Sequence, residues 1–233
     1  MGDNSFFYER GVYLKYYTIK EGDICVDIGA SNGDISLEFL NNGAGKCFCL
    51  EPSIENYKIL LDKFSDEKYK DKVFATNKAI SKANEPVPSS VDPESFMGRT
   101  FLKETGTFFD GITFKTFVET NNIETIDLLK IDCEGGEYFI FTSENYNFIK
   151  KNVKNIACEL HAKNEFAQGM HRAIDICKEL KELGFQIWIH PCQDGNPVWA
   201  SDFTKKFLKI DPDTNNYFGE VVFYAKNSRC LKF

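Results

Sequence analysis

The chain carries two hydrophobic periods, and they alternate. Short apolar runs stand at Ile24-Cys25-Val26, at Cys47 to Leu50 within Lys46 to Glu51, at Lys72 to Thr76, at Ile126 to Asp132 and at Asn155 to Leu160. Continuous runs of this kind mark strands buried on both faces. Between them the apolar positions fall at helical spacing. The pattern predicts a helix over Asp34 to Asn42, capped by Asp34 or Asn32 and stopped by Asn42-Gly43. A second helix starts at Ser53, with Ile54, Tyr57, Leu60, Leu61 and Phe64 as a core stripe. Thr113 to Asn121 reads as a short helix, and another runs through Tyr146 to Lys150. The clearest helix is Gly169 to Leu183, with Met170, Ala173, Ile174, Cys177 and Leu180 on one face and Gly184 as its stop. Two late strands, Phe185 to Ile189 and Glu220 to Ala225, are separated by the polar connector His190 to Gly219. Five strand-helix units followed by two strands with no helix between them predict an α/β fold whose mostly parallel sheet ends in an antiparallel strand.

Two stretches break the pattern. Ser5 to Lys20 is rich in Tyr and Phe without a clean period, and reads as a leader that packs on the domain or lids its site. Ser81 to Asp110 holds Pro86, Pro88, Pro93, Gly98 and Gly106, so no long regular element is expected there. A loop of that length is either an acceptor lid or a mobile spacer. The expected division is a leader over residues 1–22 and one domain over 23–233, with 81–112 irregular.

Composition narrows the classes. The chain has 233 residues, 42% of them hydrophobic, enough to bury a sizeable core in one domain. A net charge of -7 supplies no basic field for nucleic acid or an anionic membrane, so neither partner is expected. None of the 8 cysteines forms a C-x-x-C pair. Cys25, Cys47, Cys49, Cys133 and Cys158 fall in or beside predicted strands, as buried free thiols do, which predicts a reduced, cytoplasmic protein. Zinc spacings are missing and no metal is expected, unless the acids around Gly135-Gly136 converge on a divalent ion. The N-terminus has no apolar signal region, Phe6 replaces the Ser or Thr of a myristoylation pattern, and no run reaches membrane-spanning length.

The chemistry starts where the first strand ends, in Asp27-Ile28-Gly29-Ala30-Ser31-Asn32-Gly33. Strand, glycine turn and helix N-terminus in that order form the nucleotide-cofactor site of open α/β sheets. A pyrophosphate would be repelled by a carboxylate at the strand tip, which disfavours a nicotinamide dinucleotide. Asp27 suits instead a cationic nucleoside without phosphate, such as S-adenosylmethionine (SAM). Glu51, at the end of the second strand, stands where such units place the acid that holds ribose hydroxyls. The alternative is that both acids only cap strand ends. The fourth strand ends in Asp132, Glu134 and Glu137 around Gly135-Gly136, and the fifth in Glu159 and His161. His161 has the better intrinsic pKa for a base. Asp132, Glu134 and Glu137 either serve the reaction or fix their loop by accepting backbone N–H bonds. His171 and His190 read as solvated or structural, and Lys130 has no evident role inside its apolar strand.

Asp27 to Gly33, Glu51-Pro52-Ser53, Asn77-Lys78-Ala79-Ile80-Ser81 and Asp127-Leu128-Leu129-Lys130-Ile131-Asp132-Cys133-Glu134-Gly135-Gly136-Glu137 together resemble the FkbM-type class I SAM-dependent methyltransferases. The similarity spans roughly Gly22 to His161. Ser31 and Gly136 depart from the usual Asn and Ala, and the segment from Ser81 to Asp110 does not align. The resemblance implies a Rossmann-like seven-stranded sheet with helices on both faces and an antiparallel last strand. It implies SAM as cofactor, with Gly29, Ala30, Ser31, Asn32 and Gly33 under the methionine part, Asp27 on the turn or the ammonium group, Glu51 with Pro52 and Ser53 at the ribose, and Asn77 and Ala79 beside the adenine. Asp132 would border both cofactor and acceptor. Asp132, Glu134, Glu159 and His161 are the candidates that orient or deprotonate the acceptor. A small-molecule acceptor, a hydroxyl of a sugar, glycan precursor or other metabolite, is expected; a protein, lipid or RNA acceptor, or a SAM-binding module without turnover, are the alternatives.

Overall fold

In the computed structural model the described residues are 13–90, 99–100, 107–161, 169–190, 209–211, 216–218 and 220–230. The five apolar runs form strands β1 (Ile24–Ile28), β2 (Lys46–Leu50), β3 (Val73–Thr76), β9 (Ile126–Ile131) and β10 (Val153–His161). Between β3 and β9 lie the short strands β4 (Ala79–Ile80), β5 (Val87–Ser90), β6 (Arg99–Thr100), β7 (Thr107–Phe109) and β8 (Gly111–Ile112). After β10 come β11 (Phe185–His190), β12 (Lys209–Asp211), β13 (Asn216–Phe218) and β14 (Glu220–Asn227). The main sheet has seven strands in the order β11-β14-β10-β9-β1-β2-β3. All pairs are parallel except those of β14, which runs antiparallel to both β10 and β11. The last strand is antiparallel, as expected, and it inserts between β10 and β11, so that β11 is the edge strand.

Helices α1 (Asp34–Asn41), α2 (Ile54–Lys63), α3 (Phe114–Thr120), α4 (Glu137–Ile140), α5 (Ser143–Asn152) and α6 (Gly169–Glu182) cover the sheet. Strand alternation sends side chains to two cores. Val26, Ile28, Leu129, Ile131, Ile156 and Cys158 pack with Phe117, Ile149 and Leu180 of α3, α5 and α6. Cys25, Cys47, Cys49, Leu128 and Ala157 pack on the other face with Phe39 and Leu60 of α1 and α2, and with Tyr13 and Ile19 of the leader.

Local chemistry sets the helix ends. Neither expected side-chain cap serves α1: its N-cap is Gly33, at φ 82, and Asn32 Oδ1 accepts from the Asp34 amide at 3.2 Å in the turn just before it. Asp34 instead pairs with Lys63 of α2. Ser53 Oγ caps α2 by accepting from the Asn56 amide at 3.3 Å. The α2 stripe is narrower than its periodicity: Leu60 and Phe64 are buried, but Ile54 and Leu61 are exposed. The expected single helix through Tyr146 to Lys150 is two, α4 and α5, broken at Phe141-Thr142 where Asn145 Nδ2 bonds the Ile140 carbonyl at 2.9 Å. In α6, Ala173, Cys177 and Leu180 are buried as expected, while Met170 and Ile174 lie outside the side chains described.

The described parts of the irregular stretch hold short strands, while residues 91–98 and 101–106 lie outside the described residues. β5 pairs antiparallel with β6 and β7, with Pro88 opposite Phe108, and β4 pairs with β8. The connector from His190 to Gly219 likewise holds the β12–β13 ribbon. Among the described residues no helix is long and apolar enough to cross a membrane.

Candidate active site

The site lies at the carboxyl ends of β2, β1, β9 and β10. As β1 ends, the chain turns through Gly29 (φ 78), Ser31 (φ 49) and Gly33 (φ 82) into α1. The Gly29 and Ala30 amides bond the Leu50 carbonyl at 2.9 and 3.0 Å, which ties the turn to β2. A Cβ on Gly29 would fall 1.6 Å from the Asp132 carbonyl oxygen, so only glycine lets the loops after β1 and β9 meet.

Glu51 closes the neighbouring strand. Its Oε2 accepts from the Ser31 amide and its Oε1 from the Ser53 amide, both at 2.8 Å. Each oxygen keeps a second lone pair, the arrangement that a ribose diol needs. Burial raises the Glu51 pKa, and the backbone N–H groups of Ser53 and Ser31 only partly oppose that shift. Asn77 Nδ2 donates to the Glu51 and Pro52 carbonyls at 2.8 and 3.0 Å, and Ala79 is buried in β4. Asn77 thus clamps the end of β2 to the segment that follows β3.

Asp27 and Lys130 explain each other. The parallel register sets Asp27, Lys130 and Ala157 side by side on one face of the sheet. Lys130 Nζ donates to the Gly29 carbonyl at 2.7 Å and lies 3.1 Å from Asp27 Oδ1, while Ser36 Oγ donates to Asp27 Oδ2 at 2.6 Å. Burial alone would lower the Lys130 pKa, but Asp27 and Asp132 outweigh it and raise the value, so the ammonium stays charged. Asp27 is fully buried and neutralised from within. Of its two expected roles, the ammonium group of a ligand and the turn, the geometry supports the turn.

Two residues further along the same face the acids converge. Asp132 follows β9, and Glu159 lies near the end of β10. Tyr13 Oη sits 2.8 Å from Asp132 Oδ2 and 2.9 Å from Glu159 Oε2, so two carboxylates share one phenolic proton. Burial, then Asp132 and Glu159, push the Tyr13 pKa well up, which keeps that proton in place. His161 closes β10. Its Nδ1 lies 2.9 Å from Glu137 Oε1, and its Nε2 faces Glu134 Oε2 at 3.6 Å and both Asp132 Oδ1 and Glu159 Oε1 at 3.9 Å. Glu134 takes φ 54, a left-handed backbone that swings it toward this cluster. Glu137 is fully buried and also accepts the Cys133 and Gly135 amides at 2.9 Å each, so it fixes the loop.

Asp132, Glu134, Glu159 and His161 are therefore brought together, and Gly29 to Gly33 with Glu51, Pro52 and Ser53 form a second group one strand away. One electrostatic expectation changes. Burial disfavours a charged His161, but Glu137, Asp132 and Glu134 outweigh it and raise the pKa to about 10. The ring is cationic near neutral pH and poorly suited to accept a proton, whatever its intrinsic value. Tyr13 and Lys130 were not singled out as site residues. Lys130 carried a signal in its position between Asp27 and Asp132, one lysine in an apolar run; Tyr13 carried none, because its partners lie 119 and 146 positions away.

The Methyltransferase FkbM domain family matches residues 27–187, well over half of the chain. No curated protein matches the sequence. Among solved structures, a methyltransferase FkbM from Methylobacillus flagellatus KT superposes with a TM-score of 0.51 at 14% identity, over 93% of this chain and 47% of that one. Precorrin-6y C5,15-methyltransferase from Geobacter metallireducens GS-15 gives 0.48 at 13% identity, over 94% of this chain and 86% of that one. At such identities the likeness to these structures is one of fold.

Proposed function

The chain belongs to the FkbM methyltransferase family, and on that premise we propose that this SAM-dependent enzyme methylates a hydroxyl group of a small acceptor, a sugar, glycan precursor or related metabolite. The observation that carries the reading is the convergence of Asp132, Glu134 and Glu159 around His161, beside the glycine turn. A dense set of carboxylates holds an amine in its protonated, non-nucleophilic form. It leaves a hydroxyl neutral and offers it hydrogen-bond acceptors. It also repels a polyanion such as RNA, in keeping with the net charge of -7.

SAM supplies a methyl carbon already activated by its sulfonium, so the protein's work is alignment and removal of one proton. Gly29 to Gly33 line the methionine side of the groove. Glu51, oriented by the Ser31 and Ser53 amides, accepts from the two ribose hydroxyls. Asn77 and Ala79 border the base. Asp132 and Glu159 accept from the acceptor hydroxyl and take its proton, with Tyr13 and His161 as the groups that hold them in place.

Calorimetry with S-adenosylhomocysteine, followed by incubation of labelled SAM with free and nucleotide-linked sugars, tests the reading. Label in an alkali-stable ether is expected. Label appearing only in RNA, lipid or protein would replace the acceptor assignment, and S-adenosylhomocysteine binding without turnover would favour a cofactor-binding module.

A further inference from the structure

The acid pair at the ends of β9 and β10 takes its spacing from a residue outside the sheet. Tyr13 Oη sits between Asp132 Oδ2 and Glu159 Oε2, so whatever seats Tyr13 also seats the two carboxylates. Four residues on, a second phenol is latched in a similar way. Tyr17 Oη donates to Asp23 Oδ2 at 2.5 Å, and the same oxygen accepts the Lys20 amide at 2.8 Å. We propose that Tyr17 and Asp23 are positioning residues for the acceptor site, acting through the leader and Tyr13 from the opposite end of the sheet.

The two latches stand at the two ends of one strand. Asp23 immediately precedes β1, whereas the Asp132 amide bonds the carbonyl of Ile28, the last residue of β1, at 3.0 Å. The length of β1, roughly 17 Å, separates their levels. The leader spans it with a single turn, closed by the Tyr17 amide on the Leu14 carbonyl at 3.3 Å, and with a phenol reaching out at either end. A shift of Tyr17 is therefore passed along one turn of chain to Tyr13.

Between the latches the leader lies along one row of the sheet. Register aligns Lys130, Ala157, Tyr224 and Trp188 across β9, β10, β14 and β11. The Tyr13 ring covers the first, its centroid 5.2 Å from Lys130 Nζ. The Tyr16 ring covers the last two, with centroids 4.6 Å from Tyr224 and 5.9 Å from Trp188. A hollow of about 10 Å³, room for about one water, is left among Tyr16, Tyr17, Asn155 and Ala157. Packing there is incomplete, so the seat of this turn leans on the aromatic stack and on the Asp23 carboxylate. Burial, then the bond to Asp23, raises the Tyr17 pKa, which keeps the phenol a donor at neutral pH.

With Tyr17 released, Tyr13 loses its seat, and Asp132 and Glu159 lose the proton that holds them together against their mutual repulsion. The Glu51 group is oriented by separate bonds from the Ser31 and Ser53 amides and should not respond. The role in turnover rests on the methyl-transfer reading above; the coupling of Tyr17 to Tyr13 does not.

The test is Tyr17→Phe in the full chain, which keeps the ring and removes the latch. In protein labelled at the tyrosine ring carbon that bears the hydroxyl, the Tyr13 resonance should shift. Those of Tyr57 and Tyr146, bonded to the Ala75 and Phe141 carbonyls, should stay and show that the fold is kept. Asp23→Asn, which retains one acceptor oxygen, should shift Tyr13 less and in the same direction; it decides the matter if Tyr17→Phe fails to fold. Turnover of labelled SAM should fall by up to about tenfold, the loss expected for Tyr13→Phe, with the KM for SAM unchanged. In a Tyr13→Phe background, Tyr17→Phe should cost no further turnover, because its effect passes through the missing hydroxyl. An unmoved Tyr13 resonance, additive losses of turnover, or weakened S-adenosylhomocysteine binding in Tyr17→Phe overturns the assignment. Absence of turnover in the unmodified protein would sink the methyl-transfer reading alone, since the resonance shift needs neither cofactor nor acceptor.

Discussion

Lys130 and Asp27 meet across two neighbouring parallel strands, Nζ 3.1 Å from Oδ1, both buried behind the glycine turn. Removing one charge strands the other in a low-dielectric interior. Lys130→Met should cost about 3–5 kcal/mol of stability. Adding Asp27→Asn should return part of it. Urea unfolding of the two single variants and the double checks this, and strictly additive losses would show that the pair is not coupled.

Glu51 gives a pH dependence with two opposite signs. Burial raises its pKa above the ordinary 4.5 in the folded protein, so its contribution to apo stability is fully present below 4.5 and lost as pH rises through the raised value. The proposed ribose contact uses the ionised form as acceptor, so S-adenosylhomocysteine affinity should fall as pH drops through the same range. Glu51→Gln should remove both slopes and weaken binding by about 10 to 100-fold, the size of a lost charged hydrogen bond. Calorimetry and melting curves across acidic pH measure the two arms.

The Tyr13 hydroxyl is shared by two carboxylates that would otherwise repel each other. Tyr13→Phe keeps the ring packing and removes that donor, with an expected loss of about 1–3 kcal/mol in stability. Methyl transfer should fall about tenfold, or 1.4 kcal/mol, with the KM for SAM unchanged. A raised KM for SAM would place Tyr13 in cofactor binding instead.

The thiols should be silent. Burial raises the pKa of Cys25 and Cys158, and lifts Cys177 to about 12, above the ordinary 9.0. Only the thiolate is alkylated, so at mildly alkaline pH the folded protein should leave these three positions unmodified by iodoacetamide. Labelling of their peptides should appear only with denaturant, as read by mass spectrometry.

Strong periodicity made the framework legible. The five apolar runs, the late antiparallel strand, the glycine turn and the two groups of acids were visible because parallel strands bury both faces and turn residues punctuate them. Register was not legible. Nothing local sets Asp27 beside Lys130, or brings Tyr13 to Asp132, because those meetings depend on which strands pair and how a leader without a period docks. The β5–β7 strands hid for a different reason: elements this short, with Pro88 inside one, leave no period to detect. His161 shows that an intrinsic pKa is a poor guide to role when four acids surround the ring.

The 1.6 Å approach of a hypothetical Gly29 Cβ to the Asp132 carbonyl has a mechanical meaning. With backbone against backbone at that point, a displacement of the turn after β1 is passed directly to the loop after β9, so the glycine turn and the acid cluster are mechanically one unit.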